Sequence, residues 1–391
     1  MLYLDAAAST RPHPDLLARL AGYAQLPHAN PSSVHPWGMT QKKELDWARR
    51  DLARLFSVPL EGIVFCGSGT EADNLAIKGT LVRGAKNLGR FLTSPLEHKA
   101  VTECAAWYQD RGGPVDWVRI HPKTGQVDPE DLKAKLTAET RLVSIGQVNG
   151  ETGTTQDLKA LGQLIKAQNP KTLFHSDGVQ GLGKLKPELG LWGVDLYSVS
   201  GHKVHGVWGG AALVLTRPLL LEPLLHGGGQ EGGLRSGTEN VPACLGLSWA
   251  ADWAEAHRQD HWQAVQAWGD RFWLTAKGLM PSLRRLETGF QVPHILSLQV
   301  PGLLGEVWLH HLAARGILAS QGSACQARSK KLSLALKALG LTDEEIRGTI
   351  RLSLSPLELT QEPEPAAQQL VQAAQAALGK VDRFVQTTFQ L

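Results

Sequence analysis

The chain is short of cysteine, of net charge and of long apolar runs, and each shortage removes a class of protein. Its 4 cysteines, Cys66, Cys104, Cys244 and Cys325, are scattered and form no CxxC pair. That spacing argues against a disulfide framework or a cysteine-ligated zinc site and for reduced thiols in a cytoplasm. Forty Lys and Arg against 37 Asp and Glu leave a net charge of +3, too little to recruit nucleic acid or a membrane surface. No stretch reaches the roughly 20 uninterrupted apolar residues that a membrane helix needs; the best, 211–225, is broken by Arg217, Pro218, Glu222 and Pro223. Met1-Leu-Tyr-Leu-Asp5 carries no basic region followed by an apolar run, so no secretory leader is expected.

What remains is the profile of a soluble globular protein, with 42% hydrophobic and 20% charged residues in 391, long enough for two domains. Short apolar stretches at 63–66, 91–94, 141–148, 172–176, 196–199 and 211–215 alternate with helical patterns. This alternation predicts a mostly parallel sheet with helices on both faces. A helix is expected from about 40, where Leu45, Ala48, Leu52, Leu55 and Phe56 make one apolar stripe. Residues 249–279 read as one long helix, followed by a strand at 295–300 and helices at 305–314 and 332–339. Thr342-Asp-Glu-Glu345 has the capping-box pattern and starts another helix before the strand 350–355, and 365–391 closes the chain as a helix.

Chemistry concentrates where strands end, the usual place for ligands in an open α/β sheet. Ser198-Val-Ser-Gly-His-Lys-Val-His205 puts Lys203 on the turn after a buried strand; a lysine there, partly desolvated, can serve as a Schiff-base amine, although loop capping is the ordinary role of an isolated Gly-His-Lys. Asp177 ends the preceding strand and can reach the same crevice, where a carboxylate would keep a ring nitrogen protonated or simply cap the next helix. Gly67-Ser-Gly-Thr-Glu-Ala-Asp73 joins a strand to a helix start and offers backbone N–H groups to an anion. The segment Gly178-Val-Gln-Gly-Leu-Gly-Lys184 nearly completes a P-loop but has Leu185 where a Ser or Thr must hold magnesium. His98 opens a helix after a strand, placed to shuttle protons or merely to pack. His202 and His205 flank Lys203 without the further ligands of a metal site, so no metal is expected. Cys325 sits in a polar loop with Arg328, Lys330 and Lys331 just after it, a setting that favours the thiolate. Arg351 opens an alternating strand and suits a substrate carboxylate as well as an ordinary ion pair.

Taken together, the segments resemble the cysteine desulfurase family, pyridoxal-phosphate enzymes of the aminotransferase class-V, fold-type I architecture. The matches run from Leu4-Asp-Ala-Ala-Ala-Ser-Thr10 through Gly69-Thr-Glu-Ala-Asp-Asn-Leu-Ala-Ile-Lys-Gly79, Glu97-His-Lys-Ala-Val101, Ser200-Gly-His-Lys203, His226-Gly-Gly-Gly-Gln-Glu231, Arg235-Ser-Gly-Thr238 and Gly322-Ser-Ala-Cys325 to Arg351-Leu-Ser-Leu-Ser355. The resemblance implies an α/β fold: a large domain, 13–257, with a mostly parallel seven-stranded sheet, and a smaller α+β domain formed by 1–12 and 258–391 that carries the cysteine loop. It implies that Lys203 holds pyridoxal 5′-phosphate covalently and later moves the substrate's α-proton. Asp177 would pair with the ring nitrogen, Gln180 with the ring hydroxyl, and His98 would stack on the ring. Gly69, Thr70, Ser200 and His202 would take the phosphate, with Thr238 reaching in from the second subunit of a homodimer. Arg351 and Asn149 would bind free L-cysteine, whose sulfur passes to Cys325 as a persulfide and then to an acceptor or iron-sulfur scaffold protein. The spacing after Cys325 resembles the subgroup with a long cysteine loop.

One position departs from that pattern. The family has two adjacent asparagines before a glutamate, whereas this chain reads Val148-Asn-Gly-Glu151, so Gly150 puts substrate positioning and turnover in question. Two other readings use the same sequence: a selenocysteine or other amino-acid lyase that needs Lys203 but not Cys325, and a cofactor-free scaffold that kept the fold.

Overall fold

The computed structural model describes residues 1–84, 88–322 and 332–388, with side chains to Gly379. Its strands, in chain order, are β1 (Leu2–Tyr3), β2 (Ile63–Cys66), β3 (Arg90–Thr93), β4 (Val115–Trp117), β5 (Thr140–Ser144), β6 (Leu173–Asp177), β7 (Leu196–Ser200), β8 (Ala211–Leu215), β9 (Arg284–Arg285), β10 (Ile295–Gln299), β11 (Ile317–Leu318) and β12 (Ile350–Ser353). Among the described residues a seven-stranded sheet runs β2-β8-β7-β6-β5-β3-β4. Every pairing in it is parallel except those of β8, which is antiparallel to both neighbours. The strands are short unbroken apolar runs because both faces are covered by helices. All four residues of β2 and all five of β7 and β8 are buried.

The sheet's core joins Phe65, Val143, Phe174, Tyr197 and Val199 to Leu45, Ala48, Leu52 and Phe56 of the helix Pro36–Phe56. That helix begins with Pro36 in its first turn and His35 accepting from Gly38 N, and it stops at Ser57 in the left-handed region (φ 54°). A separate core holds Leu2, Leu4, Phe272, Leu298, Trp308, Leu352 and Leu370. It is built by the antiparallel sheet β12-β10-β9, the two-stranded β1-β11 sheet and the helices Arg258–Leu279, Gly305–Ala313 and Pro363–Thr388.

The N-terminal segment ties the two cores together. Leu2 pairs with Ile317 in β11, Asp5 bridges Ser353 in β12, and Thr10 N then donates to His202 O on the turn after β7. A chain that would otherwise be a loose end is thereby threaded past Lys203.

Two expectations change. The helix read as 249–279 is two, Val241–Ala256 and Arg258–Leu279, because the backbone leaves helical geometry at His257 (φ −104°, ψ 6°). There the imidazole Nδ1 donates to Trp253 O at 2.8 Å and competes with the helical ladder. The strand expected at 141–148 ends at Ser144; beyond it Ile145 N and Gln147 N still donate to His175 O and Asp177 O of β6, while Gly146, Val148 and Asn149 line the site. The capping box at Thr342 is present, with Thr342 Oγ1 accepting from Glu345 N at 3.2 Å and Glu345 Oε2 accepting from Thr342 N at 2.9 Å.

Candidate active site

A cavity of about 250 Å³ opens where β5, β6 and β7 end. β6 delivers Asp177 and β7 delivers Ser200, after which the tight turn Gly201–Lys203 brings Lys203 to the wall. Lys203 Nζ donates to the carbonyls of Ala7 and Ala8 at 2.8 and 2.6 Å, so the threaded N-terminal segment fixes the amine's position. On the opposite wall the helix Gly69–Val82 begins, with Ser68 Oγ accepting from Glu71 N at 3.1 Å. The first N–H groups of a helix have no intrahelical acceptor, and Gly69 and Thr70, the first residues of this one, line the cavity. Gly69 is required by close approach, since a Cβ there would lie 2.8 Å from Val179 Cγ2.

Gln180, His98, His202, Asn149 and Arg351 line the same cavity. His98 caps the helix Lys99–Gln109 through Nδ1, which accepts from Ala100 N at 3.2 Å, so the other ring nitrogen carries the proton in the neutral ring. Gln180 Nε2 donates to Ala7 O at 2.9 Å while its Oε1 is buried with no protein partner. Asn149 is committed to its own turn: Oδ1 accepts from Glu151 N, Thr152 N and Thr152 Oγ1, and Nδ2 donates to Leu96 O. Arg351 is 2% exposed. It is not an open fork, because its terminal nitrogens donate to Gly150 O (2.8 Å) and Asp5 Oδ1 (2.7 Å), leaving Nε buried without a partner. Gly150 faces Gln180, and a Cβ at that position would sit 3.5 Å from Gln180 Cγ, an ordinary contact.

Thr238 is exposed and lies outside this cavity's wall, with Oγ1 accepting from Asn30 Nδ2 at 3.4 Å. Cys325 lies outside the described residues. The other thiols are buried, and burial raises all three; Cys104 is pushed up to about 12. They are poor nucleophiles. Lys184, the end of the near P-loop, lines a different, smaller cavity.

Sequence reasoning found Asp177 but gave no role to the carboxyl groups around it, Glu97, Asp73 and Glu151. Glu97 accepts from Ser94 Oγ (2.6 Å) and Gly146 N (2.8 Å), and burial pushes it up to about 8. Burial also raises Asp177, against the opposing pull of His98 and Lys203, and raises Asp73 next to it. Glu151 is raised by burial and lowered by Ser333 and Arg351. Behind them His175, buried between Ser144 Oγ (2.8 Å) and Ser198 Oγ (3.0 Å), is held down to about 3 by burial. The Glu97 signal was available in Glu97-His-Lys-Ala-Val101, but its burial is a product of β3 and β5 packing side by side.

The donor set fits pyridoxal phosphate, the family's cofactor. Asp177 suits a protonated ring nitrogen, since a proton shared there relieves the cost of a buried carboxylate. The orphaned Oε1 of Gln180 suits the ring hydroxyl, and the helix start at Gly69 and Thr70 suits a phosphate.

The comparisons agree with this geometry. The aminotransferase class-V family model matches residues 2–362. A cysteine desulfurase IscS from Methanosarcina thermophila is 33% identical over 92% of this chain and 89% of its own. A mitosomal cysteine desulfurase from Trachipleistophora hominis is 35% identical, covering 95% and 86%. Among solved structures, a NifS-like protein superposes with a TM-score of 0.87 at 29% identity, covering 96% of this chain and 98% of that one. SspA in complex with cysteine does so with a TM-score of 0.78 at 30% identity, covering 91% and 99%. With sheet order, site and relatives in accord, the chain belongs to the aminotransferase class-V family, in its cysteine desulfurase group.

Proposed function

We propose that the chain is a pyridoxal-phosphate-dependent cysteine desulfurase that converts L-cysteine to L-alanine and carries the sulfur away as a persulfide on Cys325. The observation that carries this reading is the convergence of Lys203, Asp177 and Arg351 on one cavity. Bound there, the cofactor supplies an aldehyde carbon that condenses with amines and a ring that accepts electrons. Gly69, Thr70, Ser200 and His202 would hold its phosphate, Asp177 its ring nitrogen and Gln180 its ring hydroxyl. Burial and Lys203 lower His202 to about 4, and the negative charge of a phosphate beside it would raise it again.

The chain's own residues do the rest. Arg351, whose terminal nitrogens donate to Gly150 O and Asp5, would bind the substrate carboxylate. Lys203 moves the α-proton, and His98 exchanges protons at the mouth. The Cys325 thiolate attacks the substrate sulfur. The S–S bond forms as the substrate C–S bond breaks, the electron pair goes to the carbon, and protonation there gives alanine.

Reach supports the role of Cys325. Ser320 and Arg351 form an antiparallel bridge, with Arg351 N donating to Ser320 O at 2.6 Å. Cys325 is five residues on, and such a tether spans up to about 17 Å. Comparing alanine release by the wild type and Cys325→Ala tests the reading. Turnover should fall at least about a hundredfold; undiminished turnover would point to a lyase that does not use the thiol.

The remaining assignments follow the family. The large unit is 13–257, and the small unit is 1–12 with 258–391. Two chains pair so that Thr238 serves the neighbouring site, and the persulfide goes to an acceptor or iron-sulfur scaffold protein in the cytoplasm. Among the described residues no helix is long and apolar enough to cross a membrane. Pairing is supported by the exposed Val34, Trp37 and Met39, which lie 93%, 58% and 54% exposed near the Asn30–Thr238 contact. Light scattering should return twice the 42.3 kDa chain mass; the mass of one chain would contradict it.

A further inference from the structure

Behind Lys203 lies a second cavity, of about 40 Å³, which Lys203 and Ala7 separate from the first. Lys184 forms part of its wall and is only 9% exposed; its backbone N donates to Gly181 O, while its ammonium makes no hydrogen bond or ion pair among the described residues. His294 lines the same space, is 5% exposed, and its Nδ1 is buried with no hydrogen-bond partner. Among the described residues no Asp or Glu lines this cavity.

The remaining charged and titratable neighbours are already engaged. Lys203 Nζ donates to Ala7 and Ala8. His205 is tied through both nitrogens, to Arg11 O at 2.8 Å and Ser355 Oγ at 2.6 Å. His261 packs on Trp253, and Glu358 is taken up by Arg11. A cation and a buried nitrogen without a partner thus line one small, partly open space with no counter-charge, an arrangement that an anion would stabilise.

We propose that this cavity binds a small monovalent anion of halide size, held between the Lys184 ammonium and the His294 Nδ1–H. The volume is sufficient: a water needs about 10–15 Å³, and the space is roughly three times that, so a halide fits. Burial and Lys203 lower Lys184 to about 8, which leaves it mostly protonated at neutral pH and makes an anion its natural partner. Burial and Lys184 keep the His294 ring neutral, so it contributes an N–H without adding a second charge. The site is distinct from the phosphate cradle at Gly69, which lies in the other cavity, and the proposal stands whether or not the desulfurase reading does.

Thermal melting of the full-length, cofactor-loaded protein tests it, with bromide replacing gluconate at constant ionic strength. The melting temperature should rise saturably with bromide and not with sulfate. In Lys184→Met the apparent affinity should weaken about tenfold or more, the loss expected for one charge-assisted hydrogen bond. No saturable rise, an equal rise in the variant, or an equal rise with sulfate overturns the proposal. Should the variant not fold, bromide-soaked crystals of the wild type decide. An anomalous peak between Lys184 Nζ and His294 Nδ1 supports the site, and none there overturns it.

Discussion

At the scale of single residues, the site is governed by what each polar atom has left to give. Lys203 is pinned by two carbonyls, Asn149 is spent on its turn, and Arg351 keeps one unpartnered nitrogen in a guanidinium otherwise held by Asp5 and Gly150 O. Gly150 is the informative departure from the family. Its missing side chain would sit over Gln180 with 3.5 Å of clearance, and its carbonyl, which every residue has, is the part that Arg351 uses. Gly150→Asn should therefore fold with an unchanged melting temperature and restore an amide beside the ring hydroxyl or the substrate. We expect a several-fold lower KM for cysteine, on the order of one added hydrogen bond of about 1 kcal/mol. An unchanged or higher KM in a fully folded variant would show that the amide has no place here.

At the scale of elements, strands are what bring the chemistry together, and they were also what the sequence showed best. β2 and β8 fall on the apolar runs at 63–66 and 211–215, because a strand buried on both faces reads as an unbroken apolar stretch bounded by Gly or Arg. β4, with all three residues only half-buried, has no such run and was not foreseen. Nor was the break at His257, which turns on one imidazole meeting one carbonyl. Lys203, Asp177 and Arg351 were legible from their positions at strand ends. The partners that fix them, Asp5 and the Ala7 and Ala8 carbonyls, come from a segment far away in sequence, and no local pattern announces them.

Glu97 belongs to this scale because it clamps the chain just after β3 to the chain just after β5, through Ser94 and Gly146. Its folded pKa of about 8 lies above the ordinary 4.5. The folded state therefore holds this proton more tightly than the unfolded chain does. Its contribution to stability is full at pH values below about 4.5 and is lost as pH rises towards 8. Glu97→Gln keeps the shape and removes the titration. The variant should gain on the wild type as pH rises through this window, by up to about 1.4 kcal/mol per pH unit. Urea unfolding at a series of pH values measures it, and a difference that is flat with pH would contradict the buried, proton-holding carboxyl.

At the scale of the whole molecule, two cores meet at a cavity to which each contributes what the other lacks. The large sheet supplies the amine and the carboxyl, and the smaller core supplies Arg351 and, bridged to it, Ser320, five residues before Cys325 in sequence. The central claim is that Lys203 and Cys325 act on one substrate in one pocket. Mass spectrometry of the cofactor-loaded protein after exposure to L-cysteine tests it most directly. The account predicts the added mass of one sulfur on the peptide carrying Cys325, removable by a thiol reductant and absent in Lys203→Ala. Alanine release with no sulfur on that peptide, or sulfur appearing there equally in Lys203→Ala, would contradict it.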